Sequence, residues 1–411
     1  MPVDDTLRML TGDDAGGLLA TAVETAGGRL VGWRAKQVDH RPGKGTTVAY
    51  SARVAWADRE QEETLAASTG HGDDGEHPGV LVLSDGAVDV AVWRYPVDPG
   101  LPALAPACDP TAVHALLAGL GLPAAGSGAA DLTLATRAYR PRRRAVVEVA
   151  FPGRDGRQAR VFLKVARPDR VADLYRRHQL LSAAGVPVPQ ALGWNEDGLL
   201  VLTGLPGRGL RGVLRSEGAA ALDAVDVLGV LDALPEELLE LPRRMSWTDG
   251  AAHYAGVIGA ALPGEADRAA ELGSAVRGGL ETTDEPVVPV HGDFYEAQLF
   301  ASGGRLTGVL DVDAAGPGHR ADDLACLVAH AEVLGQIHTQ DAERLHGAVR
   351  TWLPVMDADP RTDPVSLRLR TAGVLLSLAT GPHRVQQAGW EQATSRRLDL
   401  VQKWLEDAGR G

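Results

Sequence analysis

Apolar and polar side chains alternate with a period of two over residues 34–56 and 79–95, which predicts half-buried strands there. A short helix is expected before them over residues 16–26, and another after them over 110–119. The two strand regions are separated by the polar stretch STGHGDDGEH, and the small-residue run PAAGSGAA at 123–130 reads as a boundary. Beyond it, residues 145–151 and 160–166 read as strands flanking the turn PGRDG. A helix over 170–184, the extended GVPVPQAL and the apolar strand GLLVLTGL follow. From Gly209 onward the pattern is helical, interrupted by a β-like island at 287–312. The expected organisation is an N-terminal domain over 1–130, a second segment over 131–205 and a helical part over 206–411. HRPGKGTTVAYSARVAW, from His40, has a weak echo in YRPRRRAVVEVAF, from Tyr139; a duplication and two unrelated hairpins are both open readings.

Composition narrows the possibilities. The chain has 411 residues, 45% hydrophobic and 23% charged, with 41 basic against 54 acidic residues and a formal net charge of -13. These proportions exclude a disordered chain, and the acidic balance argues against a dedicated nucleic-acid binder. Two cysteines, Cys108 and Cys326, are too few for a disulfide framework and lack zinc-site spacing. The N-terminus carries acids where an export signal would carry bases, and no apolar run is long enough to span a membrane, so a cytoplasmic protein is expected. Charge is unevenly spread: residues 137–177 contain 13 basic and 4 acidic side chains. That run suits a polyanionic ligand or is a solvated arginine face. Only four of the basic residues are lysines, Lys36, Lys44, Lys164 and Lys403.

The chemistry concentrates on the β-like island, VVPVHGDFYEAQLFASGGRLTGVLDVDAAGPGHRADDLA. SGGR is a turn sequence between two apolar strands, so a hairpin is expected to bring Asp293, Gln298 and Asp311 together. A carboxylate that accepts a hydroxyl proton, beside oxygen ligands for a divalent ion, is what phosphoryl transfer from a nucleotide requires.

HGDFYEAQ followed by LDVD and Asp323-Leu324-Ala325 resembles the catalytic loop and metal-binding segment of the aminoglycoside phosphotransferase family. YRPRRRAVVEV, VFLKV, AAGVPVP and LLVLTGLPGR recur upstream in that family's order, so the resemblance covers roughly residues 132–405. It implies an α+β, bilobal protein-kinase-like fold with a β-rich N-lobe, a mainly helical C-lobe and, here, a small mixed N-terminal cap. It further implies Asp293 as catalytic base, Gln298 and Asp311 as ligands of Mg²⁺, and Lys164 on the phosphates of ATP or GTP. Leu202, Thr203 and Leu205 would form the hinge against adenine. Around these, His291 is expected to buttress the loop and Asp323 to anchor it. Asp313 would take a second ion or stay solvated, and Glu296 and Tyr295 would border the acceptor or simply pack.

Two departures stand out. Gln298 replaces the family's usual Asn, as in the capped maltokinase and glucosamine-kinase-like branch, and helix RVADLYRRHQLLSAA holds no Glu to pair with Lys164. The expected activity is a kinase acting on a hydroxyl of a sugar, aminosugar or aminoglycoside-like acceptor, as a monomer or homodimer, without nucleic-acid or membrane partners. A non-catalytic nucleotide-binding pseudokinase acting through its cap is the alternative.

Overall fold

A computed structural model describes residues 3–41, 44–70, 77–84, 86–122, 128–153 and 157–410. The middle of STGHGDDGEH, most of PAAGSGAA and the tip of PGRDG lie outside these residues. Contacts divide the chain into two compact units, one of residues 1–175, 191–204 and 383–388, the other of 176–190, 205–382 and 389–411.

The first unit is built on two five-stranded sheets. Helices α1 (Val3–Thr11) and α2 (Asp14–Thr25) precede β1 (Arg29–Arg41), β2 (Gly45–Ala55), β3 (Glu60–Thr69), β4 (Val80–Ser84) and β5 (Asp89–Arg94). These strands pair antiparallel in the order β1-β2-β3-β5-β4. The period of two sends Val48, Tyr50, Ala52 and Val54 into a core with Leu10, Leu19 and Val23 of the two helices. The second sheet holds β6 (Thr133–Arg140), β7 (Arg144–Pro152), β8 (Gln158–Ala166), β9 (Ala191–Trp194) and β10 (Leu199–Thr203), in the order β6-β7-β8-β10-β9. Both sheets thus share one strand order, and the sequence echo falls on their equivalent hairpins, β1–β2 and β6–β7.

Each face of the second sheet has its own cover. α3 (Leu104–Ala107) and α4 (Pro110–Gly119) pack Leu104, Val113 and Leu117 against Val147, Val149, Leu163 and Val165. α4 starts where the sequence dictates: Pro110 occupies its first turn and Asp109 caps it by accepting the Ala112 N–H at 2.7 Å. On the opposite face, Val171 and Leu174 of α5 (Pro168–Ala183) meet Ala166, Leu200 and Leu202. A polar seam joins the two sheets. Trp93 Nε1 donates to Tyr139 Oη (3.0 Å), which donates to the buried Asp98 (2.8 Å), and the Arg142 backbone N–H reaches the same Asp98 oxygen at 2.9 Å.

The second unit is mainly helical. It comprises β11 (Arg208–Gly209), α6 (Leu210–Glu217), α7 (Ala224–Asp232), α8 (Ala251–Ala261) and α9 (Ala266–Leu280), then the β island of β12 (Val288–Val290), β13 (Leu299–Ser302), β14 (Arg305–Val309) and β15 (Gly316–Gly318). α10 (Arg320–Ile337), α11 (Ala342–Asp357), α12 (Pro364–Ala379) and α14 (Trp390–Ala408) complete it, while α13 (Gly381–Arg384) is divided between the units after Pro382. α10 is buried on nearly every side from Arg320 to Gly335, the mark of a central helix. Its first turn faces the β island, and that contact positions the site.

Candidate active site

The expected hairpin forms, with β13 antiparallel to β14 around Gly303 and Gly304, both at positive φ. It places Gln298 and Asp311 in contact: the Gln298 amide Nε2 donates to Asp311 Oδ2 at 3.1 Å and to Tyr295 Oη at 3.1 Å. The backbone closes the same bracket, since the Leu310 N–H donates to the Gln298 carbonyl at 2.7 Å. Asp311 sits in the left-handed region at φ 58°, which a short polar side chain tolerates better than most and which ends β14 sharply. Gln298 is buried and Asp311 half-buried.

Asp293 lies one turn of loop before the hairpin, and the loop that carries it is tied at three points. The Asp323 carboxylate accepts the N–H groups of both His291 and Gly292, each at 2.7 Å. The imidazole of His291 donates from Nε2 to the Leu310 carbonyl at 2.8 Å and accepts the Asp293 N–H at Nδ1, 3.3 Å away. A carbonyl can only accept, so Nε2 carries a proton, and the Asp293 N–H requires Nδ1 to act as the acceptor. Gly292 has φ 80°, and a Cβ there would come within 2.8 Å of the Ala314 carbonyl oxygen, so no other residue fits between His291 and Asp293. Burial pushes the Asp323 carboxyl up to about 7, against its two backbone donors.

Asp293 itself is half-buried and accepts from the Trp247 indole Nε1–H at Oδ1, 3.2 Å away. Nothing in the local sequence announced Trp247, a tryptophan 46 residues upstream in an aperiodic loop. Its ring lies 6.2 Å from that of Tyr254 on α8, so the indole is braced from behind.

The neighbouring polar side chains are held inward. Glu296 is 1% exposed and pairs with Arg211 at 2.8 Å, while Tyr295 stacks on His330 at 3.9 Å. Burial raises both the Tyr295 hydroxyl and the Glu296 carboxyl; the charge of Asp293 adds to the first, and Arg211 opposes the second. Asp313 is half-buried in the turn Val312–Ala314.

In the first unit, Lys164 is 6% exposed at mid-β8, opposite Val146 and Leu200. Alternation puts it on the face that α5 covers, away from Leu163 and Val165. Leu202 and Thr203 end β10, and Leu205 begins the following stretch of the second unit. Among the described residues of the basic run, several arginines are paired with acids. Arg137 and Arg160 share Glu148 (2.6 and 3.3 Å), Arg143 meets Asp39 (3.2 Å) and Arg167 meets Asp169 (3.0 Å). Arg177 is buried and donates to the Ala315 carbonyl at 2.9 Å.

The profile of the phosphotransferase enzyme family matches residues 149–365. No curated protein matches the chain. Among solved structures, a thermostable mutant of aminoglycoside phosphotransferase APH(4)-Ia shares 15% identity over 67% of this chain and 95% of its own, with a TM-score of 0.47. A choline/ethanolamine kinase family protein from Mesorhizobium loti shares 17% identity over 72% and 94%, TM-score 0.47. Macrolide 2'-phosphotransferase MphH from Brachybacterium faecium shares 18% over 71% and 97%, TM-score 0.39.

Proposed function

The chain belongs to the phosphotransferase enzyme family, and on that footing we propose that it transfers the γ-phosphoryl group of ATP or GTP to a hydroxyl of a sugar, aminosugar or aminoglycoside-like acceptor, with Asp293 as the base. The observation that carries this reading is the bracket around Asp293: a loop fixed by Asp323 and His291, directly followed by the Gln298–Asp311 contact. Phosphoryl transfer asks little covalent help of a protein and a great deal of positioning. Asp293 accepts the acceptor's proton as the new O–P bond forms and the bond to the β-phosphate oxygen breaks, leaving the nucleoside diphosphate. Lys164 is assigned to the donor phosphates, for which a compact ammonium is suited, and residues 202–205 to the base of the nucleotide.

Gln298 and Asp311 fit Mg²⁺, which takes one or two protein oxygens and completes its shell with phosphate and water. The Gln298 amide nitrogen faces Asp311, and a half-turn about the last side-chain bond offers the carbonyl oxygen instead. When bound, the ion offsets the phosphate charge.

The test is ADP release by wild type and Asp293→Asn across hexoses, hexosamines, disaccharides and aminoglycosides. Turnover with one acceptor class, lost in the variant with folding retained, is expected. An Asp293→Asn protein that keeps wild-type turnover removes the base assignment. Nucleotide binding without turnover on any acceptor favours the pseudokinase reading that Gln298 motivates.

A further inference from the structure

We infer that Trp247 is a positioning residue for the proposed base, its indole N–H fixing the orientation of the Asp293 carboxylate; this rests on the reading of Asp293 given above. The contact is Nε1–H to Oδ1 at 3.2 Å, and the structure clamps both of its partners. A terminal carboxylate torsion is broad, so an unsupported aspartate samples many orientations. A donor on a rigid ring narrows that range.

The loop that carries Trp247 is closed on itself. Ser246 N–H and the Arg243 guanidinium both donate to Asp249 Oδ2 at 3.0 Å, and the Asp249 N–H returns to Ser246 Oγ at 3.1 Å. Next to the indole, the buried Thr248 donates to Asp322 Oδ1 at 3.4 Å, and Arg370 of α12 holds the same oxygen at 2.8 Å. α12 also presses on this loop: a Cβ on Gly373 would stand 2.7 Å from the Thr248 methyl.

The next residue along α10, Asp323, holds the His291-Gly292 backbone. Consecutive carboxylates on one helical turn therefore fasten the two loops whose side chains meet, Asp322 the Trp247 loop and Asp323 the Asp293 loop. A contact between two floppy surface loops would be incidental. Here both loops are registered to the same turn of the most buried helix, and the N–H to carboxylate bond is the product of that registration. Charged hydrogen bonds of this kind are among the stronger ones. Ionisable groups that face Asp293 include His291 and Tyr295 on its own loop and Asp323 and Cys326 on α10.

Two variants test the proposal, with Asp293→Asn alongside. Trp247→Phe keeps an aromatic ring and removes the N–H. Replacement of Trp247 by β-(3-benzothienyl)alanine keeps the full bicyclic outline with sulfur in place of the N–H. Both are expected to lower kcat about tenfold to a hundredfold, with KM for the nucleotide within about twofold of wild type because ground-state binding is untouched. A benzothienyl variant with wild-type kcat overturns the proposal, because the outline and not the N–H would then be what matters. If Asp293→Asn retains activity, the base assignment fails first and takes this inference with it. A dead Asp293→Asn together with fully active Trp247 variants leaves the base standing and removes only the role of Trp247.

Discussion

Asp323 accepts the backbone N–H of His291 at 2.7 Å, so the peptide that leads into Asp293 hangs from a fully buried carboxylate. Burial is the largest influence on that carboxyl and raises it from 3.8 to about 7, above its unfolded value. The folded protein therefore keeps a proton that the unfolded chain releases. The stability this gives is complete below about pH 4 and is lost as pH rises through about 7. Asp323→Asn cannot titrate, so its stability deficit relative to wild type should shrink between about pH 5 and about pH 8. Urea denaturation at the two pH values measures this, and a deficit independent of pH would contradict it.

Gln298 is the residue that departs from the family's usual Asn, and its contact with Asp311 is what the proposed Mg²⁺ role rests on. Gln298→Ala should weaken the apparent affinity for Mg²⁺ by about tenfold or more while leaving the melting temperature nearly unchanged. Turnover titrated with Mg²⁺ at fixed nucleotide gives the answer. An unchanged Mg²⁺ curve would place the ion elsewhere.

Lys164 is a buried ammonium on a strand otherwise apolar at its neighbours Leu163 and Val165. Lys164→Met matches its length and drops its charge. The expected result is a fall in kcat/KM for the nucleotide of about a hundredfold, with KM for the acceptor unchanged. Equal losses for both substrates would mean a general structural effect.

Arg320, at the start of α10, is 6% exposed and reaches Asp359, Asp232 at 2.8 Å and the Leu228 carbonyl at 3.2 Å. Arg320→Ala strands the buried Asp359 carboxylate, which should cost about 3–5 kcal/mol of stability. Chemical denaturation checks it. A loss below about 1 kcal/mol would show that Arg361, also beside Asp359 at 3.3 Å, is sufficient compensation.

The geometry of the candidate site was legible wherever it was local. Gln298 and Asp311 flank one hairpin, with His291 and Asp293 on the loop just before it, and its turn glycines and alternating strands are visible in the sequence; α4 lies at 110–119 because Asp109 and Pro110 mark its start. What tertiary packing creates was hidden. β3 begins with the polar, mostly acidic Glu60-Gln61-Glu62-Glu63, which masks its period of two. Two of those acids are hydrogen-bonded in the fold, Glu62 accepting from Ser51 and Glu63 from Trp56 and Arg94. Helix α1, Val3–Thr11, is only nine residues long and was not anticipated. Arg177 read as part of a basic surface and is instead a core donor. Trp247 was invisible because its role depends on two loops meeting over α10, which no spacing along the chain encodes.

The helices at 104–119 precede the boundary expected near residue 130, yet they supply one whole side of the core beneath Lys164's strand. A chain begun at residue 131 would retain Lys164, Asp293, Gln298 and Asp311 and leave Val147, Val149, Leu163 and Val165 facing water. Chemistry and folding cut this protein at different places. An engineer wishing to graft new N-terminal sequence onto this enzyme should splice before Leu101, and an evolutionary insertion tolerated at 130 would still have inherited the helices on its far side as a debt to the kinase core.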